Sequence, residues 1–195
     1  MAGATAQTPT VHLVRHAQTA WNAQGRFLGA TDLPLDEVGV AQAAALAASW
    51  QPRPEIIVCS PLNRARQTAA ALGPYEVDDD LRELDQGALE GQTVADAMAS
   101  YPAFFAAWAA DPGAVDVPGG EGLAAAQARA VAAILRAVDR WPDRSIVIVS
   151  HQLVLAAAQA ALVGAPLRGW RRFSLPHAGR VALVRSPAGW SFEPK

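Results

Sequence analysis

The sequence predicts a single α/β domain, a three-layer α/β/α sandwich around a mixed, mostly parallel sheet. Three observations lead there. Three short apolar runs at 11–15, 56–58 and 145–149, interrupted only by polar end residues and His12, have the length and β-branched content of buried strands. Each is followed by a stretch with helical signals, and strand–helix alternation is the pattern of α/β folds. The 195 residues, 51% of them apolar, suffice for one core of ordinary size without requiring a second domain.

Taken in order, residues 1–8 are small and polar and are expected to be a flexible leader to a domain over 9–195. Residues 11–15 form a strand that ends at His16. Asp36 is a plausible N-cap for a helix carrying Val40, Ala44, Leu46 and Ala47, which Pro52 and Pro54 end. After the strand at 56–58, Pro61 opens a helix through Leu72 that Gly73 and Pro74 close. The middle reads as an extended piece at 81–84, helices near 93–100 and 102–109, and a breaker-rich stretch at 111–122. Leu123, Gln127, Val131, Ile134, Leu135 and Val138 then place one apolar stripe on a long helix. The strand at 145–149 runs into His151 and a helix to about Leu162, and 171–176, 180–185 and 189–193 read as short closing strands.

Composition narrows the function. Sixteen basic against eighteen acidic residues leave a net charge of −2, so neither nucleic acid nor an anionic membrane is an expected partner. Positive charge must therefore act locally. The single cysteine, Cys59, excludes an internal disulfide and a multi-cysteine zinc site, which suits a cytoplasmic setting. No run is long enough to span a membrane, and the start lacks a signal-peptide profile.

Four constellations carry chemistry. The first is Arg15-His16-Ala17-Gln18-Thr19-Ala20-Trp21-Asn22 at a strand end. An Arg beside a His suits phosphate: the guanidinium fork matches phosphate oxygens, and an imidazole with one unprotonated nitrogen can attack phosphorus. The second is Ser60 to Ala69, with Arg64 near the start of a helix whose free N–H groups also attract anions. The third is Val149-Ser150-His151-Gln152, and the fourth runs from Leu81-Arg82-Glu83-Leu84 to Gly87-Ala88-Leu89-Glu90-Gly91. Two histidines thus follow two buried strands, where open α/β sheets bind ligands.

These segments, with Phe27-x-Gly29 and the run Pro118 to Glu121, occur in an order that resembles branch 1 of the histidine phosphatase superfamily, the phosphoglycerate-mutase-like fold, over nearly the whole chain. The resemblance implies that His16 is the nucleophile, that Arg15, Arg64 and His151 surround the transferred phosphoryl group, and that Glu83 is the proton donor. It also implies substrate contacts from Gln18, Thr19, Asn22, Leu28, Gly29 and Gln152, with no cofactor and no metal. For those roles His16 needs a depressed pKa and Glu83 a raised one. Ala17 and Gln152 stand where the family usually has Gly, a tolerable change unless position 17 needs positive φ.

Fold does not separate hydrolysis from phosphoryl transfer between two positions of one substrate. A mutase must grip a substrate anionic at both ends, yet residues 92–128 contain no Lys and no Arg, and Gln86 stands where mutase relatives carry Tyr. The stretch 92–122 is expected to be a substrate cap, with Met98, Tyr101, Phe104, Phe105 and Trp108 available to an apolar alcohol. The expected activity is a metal-independent phosphomonoesterase acting on small-molecule phosphate esters through phosphohistidine, as monomer or homodimer. The alternatives are a phosphoglycerate mutase and a non-catalytic phosphate-binding protein. His12 is expected to be packed rather than a ligand, and His177 lies either at the pocket rim or in a plain loop.

Overall fold

The computed structural model describes residues 10–193, so the expected leader at 1–8 lies outside the described residues. The elements are β1 (Thr10–Arg15), α1 (Ala20–Ala23), α2 (Glu37–Ala48), β2 (Ile56–Cys59), α3 (Asn63–Leu72), β3 (Glu76–Val77), α4 (Val94–Ser100), α5 (Pro102–Ala110), α6 (Leu123–Arg140), β4 (Ile146–Ser150), α7 (Gln152–Leu162), β5 (Arg180–Ser186) and β6 (Gly189–Phe192). The six strands form one sheet in the order β3-β2-β4-β1-β5-β6. The first four run parallel, and β5 and β6 add an antiparallel edge.

Strand alternation creates the three layers. In β4, Ile146 and Ile148 enter one core with α6 and α7, while Val147 and Val149 enter a second core with α2 and α3. Likewise Val11 and Leu13 of β1 join the first core and Val14 the second. Both faces are apolar, which is why these strands read as continuous hydrophobic runs. On the first face, Ala126, Ala130, Ala133 and Ala137 of α6 and Ala156, Ala157, Ala158 and Ala160 of α7 are buried, small side chains suited to close helix packing.

Several expectations change in detail. The stretch 171–176 is not a strand: Leu167–Phe173 is a 3-10 segment, anchored by buried Trp170 and by the Gln159 amide, which donates to the Phe173 carbonyl. The extended piece at 81–84 begins instead with a 3-10 turn, Asp79–Leu81, because the Asp78 carboxylate accepts from the Asp80 N–H. Pro61 lies two residues ahead of α3, whose N-cap is Leu62. The sequence reading also missed β3, an exposed two-residue strand, and α1, a single turn whose signal is a local capping box. Among the described residues no single helix is long and apolar enough to cross a membrane.

Candidate active site

The motifs converge at the C-terminal edge of the parallel strands. Arg15 is the last residue of β1 and His16 follows it; His151 follows β4 and is the N-cap of α7. The His16 and His151 rings lie 5.0 Å apart between centroids. Arg64, in the first turn of α3, donates from Nε to His151 Nδ1 at 3.2 Å. Glu83 reaches the same edge from the loop before α4, with one carboxylate oxygen accepting from the Leu84 and Val154 N–H groups and the other from Leu153. Glu83 thus caps α7, whose N-terminal N–H groups have no partners within the helix.

The site is buried: relative exposure is 3% for His16, 0% for Arg64 and His151, and 7% for Glu83. Arg64 donates to the Gly29 and Thr31 carbonyls at 2.7 and 2.8 Å, and Arg15 donates to the Leu175 carbonyl and to His177 Nε2. Neither guanidinium has an ion-pair partner among the described residues, although burying an unpaired cation is costly. The buried Arg15 Nε has no hydrogen-bond partner among the described residues. A buried Arg64 and a half-buried Arg15, neither in an ion pair among the described residues, make this edge a site for an anion.

Burial first, then the Arg64 charge, holds the His16 pKa well below its ordinary value, with Arg15 and His177 adding to the effect. The order matters. Desolvation is the larger cause, and the clustered cations add to it. His151 is lowered in the same way, by burial and then Arg64. Burial also lowers Arg15 to about 10, opposed by Glu83, so it keeps its charge near neutrality. Burial pushes the Glu83 carboxyl up against the opposing pull of its N–H donors and Arg64. His16 Nδ1 donates to the Ala17 carbonyl at 2.7 Å, which fixes the tautomer and leaves Nε2 unprotonated.

The remaining predicted residues have these surroundings. Thr19 is fully buried and caps α1; its backbone N–H and hydroxyl both donate to Asn22 Oδ1, leaving the Asn22 amide N–H groups without a partner among the described residues. Gln18 donates to the Asp36 carboxylate and Leu28 is buried. Gly29 has no room for a side chain: a Cβ there would lie 2.4 Å from the Leu84 carbonyl oxygen, and the Gly29 carbonyl receives Arg64. Gln152, half-buried, opens α7 with a side chain unpartnered among the described residues. Ala17 does not have positive φ, so its methyl costs no strain. Of the cap aromatics, Trp108 is buried and Phe104 lies 5.1 Å from Phe105 and 5.5 Å from Trp108, which makes these three a packing cluster.

Several supporting residues escaped the sequence reading. Thr68 accepts from the Ala17 N–H and donates to the Arg64 carbonyl, tying the nucleophile loop to α3. Ser60 pairs with His151 Nε2 at 2.7 Å. Glu90 accepts from the Gly29 and Ala30 N–H groups and so holds the loop that holds Arg64. Arg129 donates to the Asp80, Arg82 and Glu83 carbonyls and pairs with Glu121, bracing the Glu83 loop. The glycine-rich motifs explain that brace: Gly87 and Gly120 bring the two loops into backbone contact, with no space for Cβ at either. Thr68, Glu90 and Glu121 lie inside the quoted motifs, but Arg129 carries no local signal.

Among the described residues no group of three or more His, Cys, Asp or Glu side chains is arranged to hold a metal ion. An α/β sheet with paired imidazoles and two guanidiniums at its C-terminal edge defines a phosphate-handling class of protein. The chain belongs to the histidine phosphatase superfamily (branch 1), whose profile matches residues 11–194. It is 37% identical over 194 residues to the glucosyl-3-phosphoglycerate phosphatase of Mycobacterium tuberculosis, covering 92% of this chain and 85% of that protein. It is 34% identical over 172 residues to phosphoserine phosphatase 1 of Hydrogenobacter thermophilus, covering 85% and 82%. The structure of mycobacterial glucosyl-3-phosphoglycerate phosphatase complexed with VO3 superposes with a TM-score of 0.87 at 30% identity, covering 96% of this chain and 98% of that one.

Proposed function

We propose that this protein is a metal-independent phosphomonoesterase that hydrolyses small-molecule phosphate esters through a phosphohistidine on His16. The observation that carries the proposal is the His16 Nδ1 to Ala17 carbonyl hydrogen bond, which leaves Nε2 with a lone pair in a site where, among the described residues, neither Arg15 nor Arg64 is tied up in an ion pair. In the first step Nε2 bonds to phosphorus as the ester P–O bond breaks, and protonated Glu83 gives its proton to the departing alcohol. In the second, water attacks phosphorus, Glu83 takes its proton, and the P–N bond breaks to release inorganic phosphate. Arg15, Arg64 and His151 stabilise charge on the equatorial oxygens, and Asn22 adds an N–H.

Hydrolysis is favoured over mutase chemistry because residues 92–128 offer no cation for a second anionic group. In this reading 92–122 caps the site; Phe104, Phe105 and Trp108 pack on one another, and half-exposed Met98 and Tyr101 remain available to the alcohol of the ester.

The test is turnover of an aryl phosphate in the presence of EDTA, together with trapping of an acid-labile 32P-phosphoenzyme that His16→Ala cannot form. Loss of turnover with chelator that metal restores would replace the mechanism with a metal-assisted one. Conversion of 3- to 2-phosphoglycerate, primed by the bisphosphate, at a rate above phosphate release would replace hydrolysis with transfer.

A further inference from the structure

His177 belongs to none of the motifs, yet it sits in the site. Its Nε2 lies 2.7 Å from Arg15 Nη2, and its ring centroid is 6.0 Å from that of His16. A guanidinium is only a donor, so His177 must accept at Nε2 and carry its own proton on Nδ1. The loop that bears it is pinned on both sides: Arg15 N–H donates to the Gly179 carbonyl, Ala178 N–H to the His16 carbonyl, and Arg15 Nη1 to the Leu175 carbonyl. Ala178 has φ of 54°, alone among non-glycine described residues in being positive. Backbone strain of that kind persists where the surroundings enforce it, often beside a functional group.

We propose that His177 is a positioning residue for Arg15. With Leu175 it takes one hydrogen from each terminal nitrogen, which sets the rotation of the guanidinium. The hydrogens that remain, including the unpartnered buried Nε–H, are then presented together to the phosphoryl oxygens. Only neutral imidazole can do this; His177 protonated at both nitrogens would oppose Arg15 with a second cation and release it. The charged and titratable groups facing His177 are Arg15 and His16 from the end of β1 and Asp36 from the N-cap of α2. Burial and Arg15 together outweigh Asp36 and lower His177 to about 4. The clamp therefore holds at neutral pH and is lost as acid approaches that value.

The kinetic consequence rests on the phosphatase reading; the clamp itself does not. His177→Ala should raise the Ki of inorganic phosphate and the KM of an aryl phosphate by about tenfold, with a smaller fall in kcat. His177→Asn, whose side-chain oxygen can accept the same N–H, should recover most of that loss and move the acid limb of kcat/KM to lower pH. Independently of activity, the imidazole 15N spectrum should show the Nδ1–H tautomer, titrating near 4, and Arg15→Met should shift that titration upward. An Nε2–H tautomer, or a titration insensitive to Arg15→Met, would overturn the clamp even in a fully active enzyme. Equal losses in the Ala and Asn variants, with unchanged melting temperatures, would do the same. A wild-type protein with the expected spectrum but no phosphatase activity would fail the functional reading instead.

Discussion

β1 carries one histidine, His12, near its start and leads into another, His16, just past its end, and the two surroundings are unequal. His12 packs edge-on to Trp50 at 5.1 Å beside a cleft of about 940 Å³, and Arg180 lies over the same indole at 4.4 Å. His16, four residues on, enters the cluster with Arg15, Arg64, Glu83 and His151. Both imidazoles are lowered chiefly by burial, and both have arginine nearby. Neither a perturbed pKa nor a large concavity therefore singles out the site. At the His12 end the charges are exposed and partly matched, as in the Arg144 and Glu55 pair. At the His16 end they are mostly buried, free of direct ion pairs among the described residues and drawn from separate segments of the chain, and a backbone carbonyl sets the tautomer. Convergence of complementary groups marks chemistry; burial alone marks packing.

The sharpest way to break this comparison is to exchange the fates of the two histidines. His16→Ala should abolish aryl phosphate turnover, a loss of roughly 10⁴-fold or more. Substantial activity in that variant would undo the contrast.

Arg64→Ala should cost about 10³-fold in kcat/KM, and Arg64→Lys should not restore it, because one ammonium cannot hold Gly29, Thr31 and His151 in the same fork. Full rescue by lysine would reduce Arg64 to a point charge. Glu83→Gln should slow an alkyl phosphate by about 10²-fold while sparing an aryl phosphate, whose leaving group needs less protonation. An equal loss on both esters would assign Glu83 to capping α7 rather than to proton transfer.

Acid sharpens the contrast further. His16 and His151 are neutral in the folded protein, with pKa values well below 6.5, so the unfolded chain binds protons first as pH falls. Their stabilising contribution is complete above about 6.5 and is lost progressively below it. The raised pKa of Glu83 acts oppositely, favouring the fold on the acid side, but one carboxyl faces two fully buried imidazoles. Melting temperature should therefore fall between pH 7 and 5 in the wild type and fall less in a His151→Gln variant. The smallest effect belongs to the other histidine. His12→Ala should cost about 1 kcal/mol of stability through lost packing on Trp50 and leave kcat/KM within about twofold.

Legibility followed the range of the interactions. The parallel strands and the long helices were readable because apolar periodicity and capping residues are local signals, and the arginines and histidines of the cluster stood beside them in motifs. The 3-10 segment at 167–173 was not, since it depends on Trp170 reaching the core and on Gln159 of α7. β3 escaped because two exposed residues have no pattern; pairing with β2 alone makes them a strand. Thr19, expected as a substrate contact, also closes the capping box of α1 with Asn22, three residues on.

Residue order alone determined the layered α/β architecture, the position of His16 and His151 after buried strands, and the identity of the cations that accompany them. Folding decided what those groups experience. Desolvation sets the direction of the His16, His151 and Glu83 shifts, and contacts spanning 33 to 162 residues of sequence hold Arg64 and Arg15 in place. Burial and long-range hydrogen bonds are properties of three-dimensional surroundings, so no local pattern could announce that His177 would meet Arg15 or that Arg129 would brace the Glu83 loop.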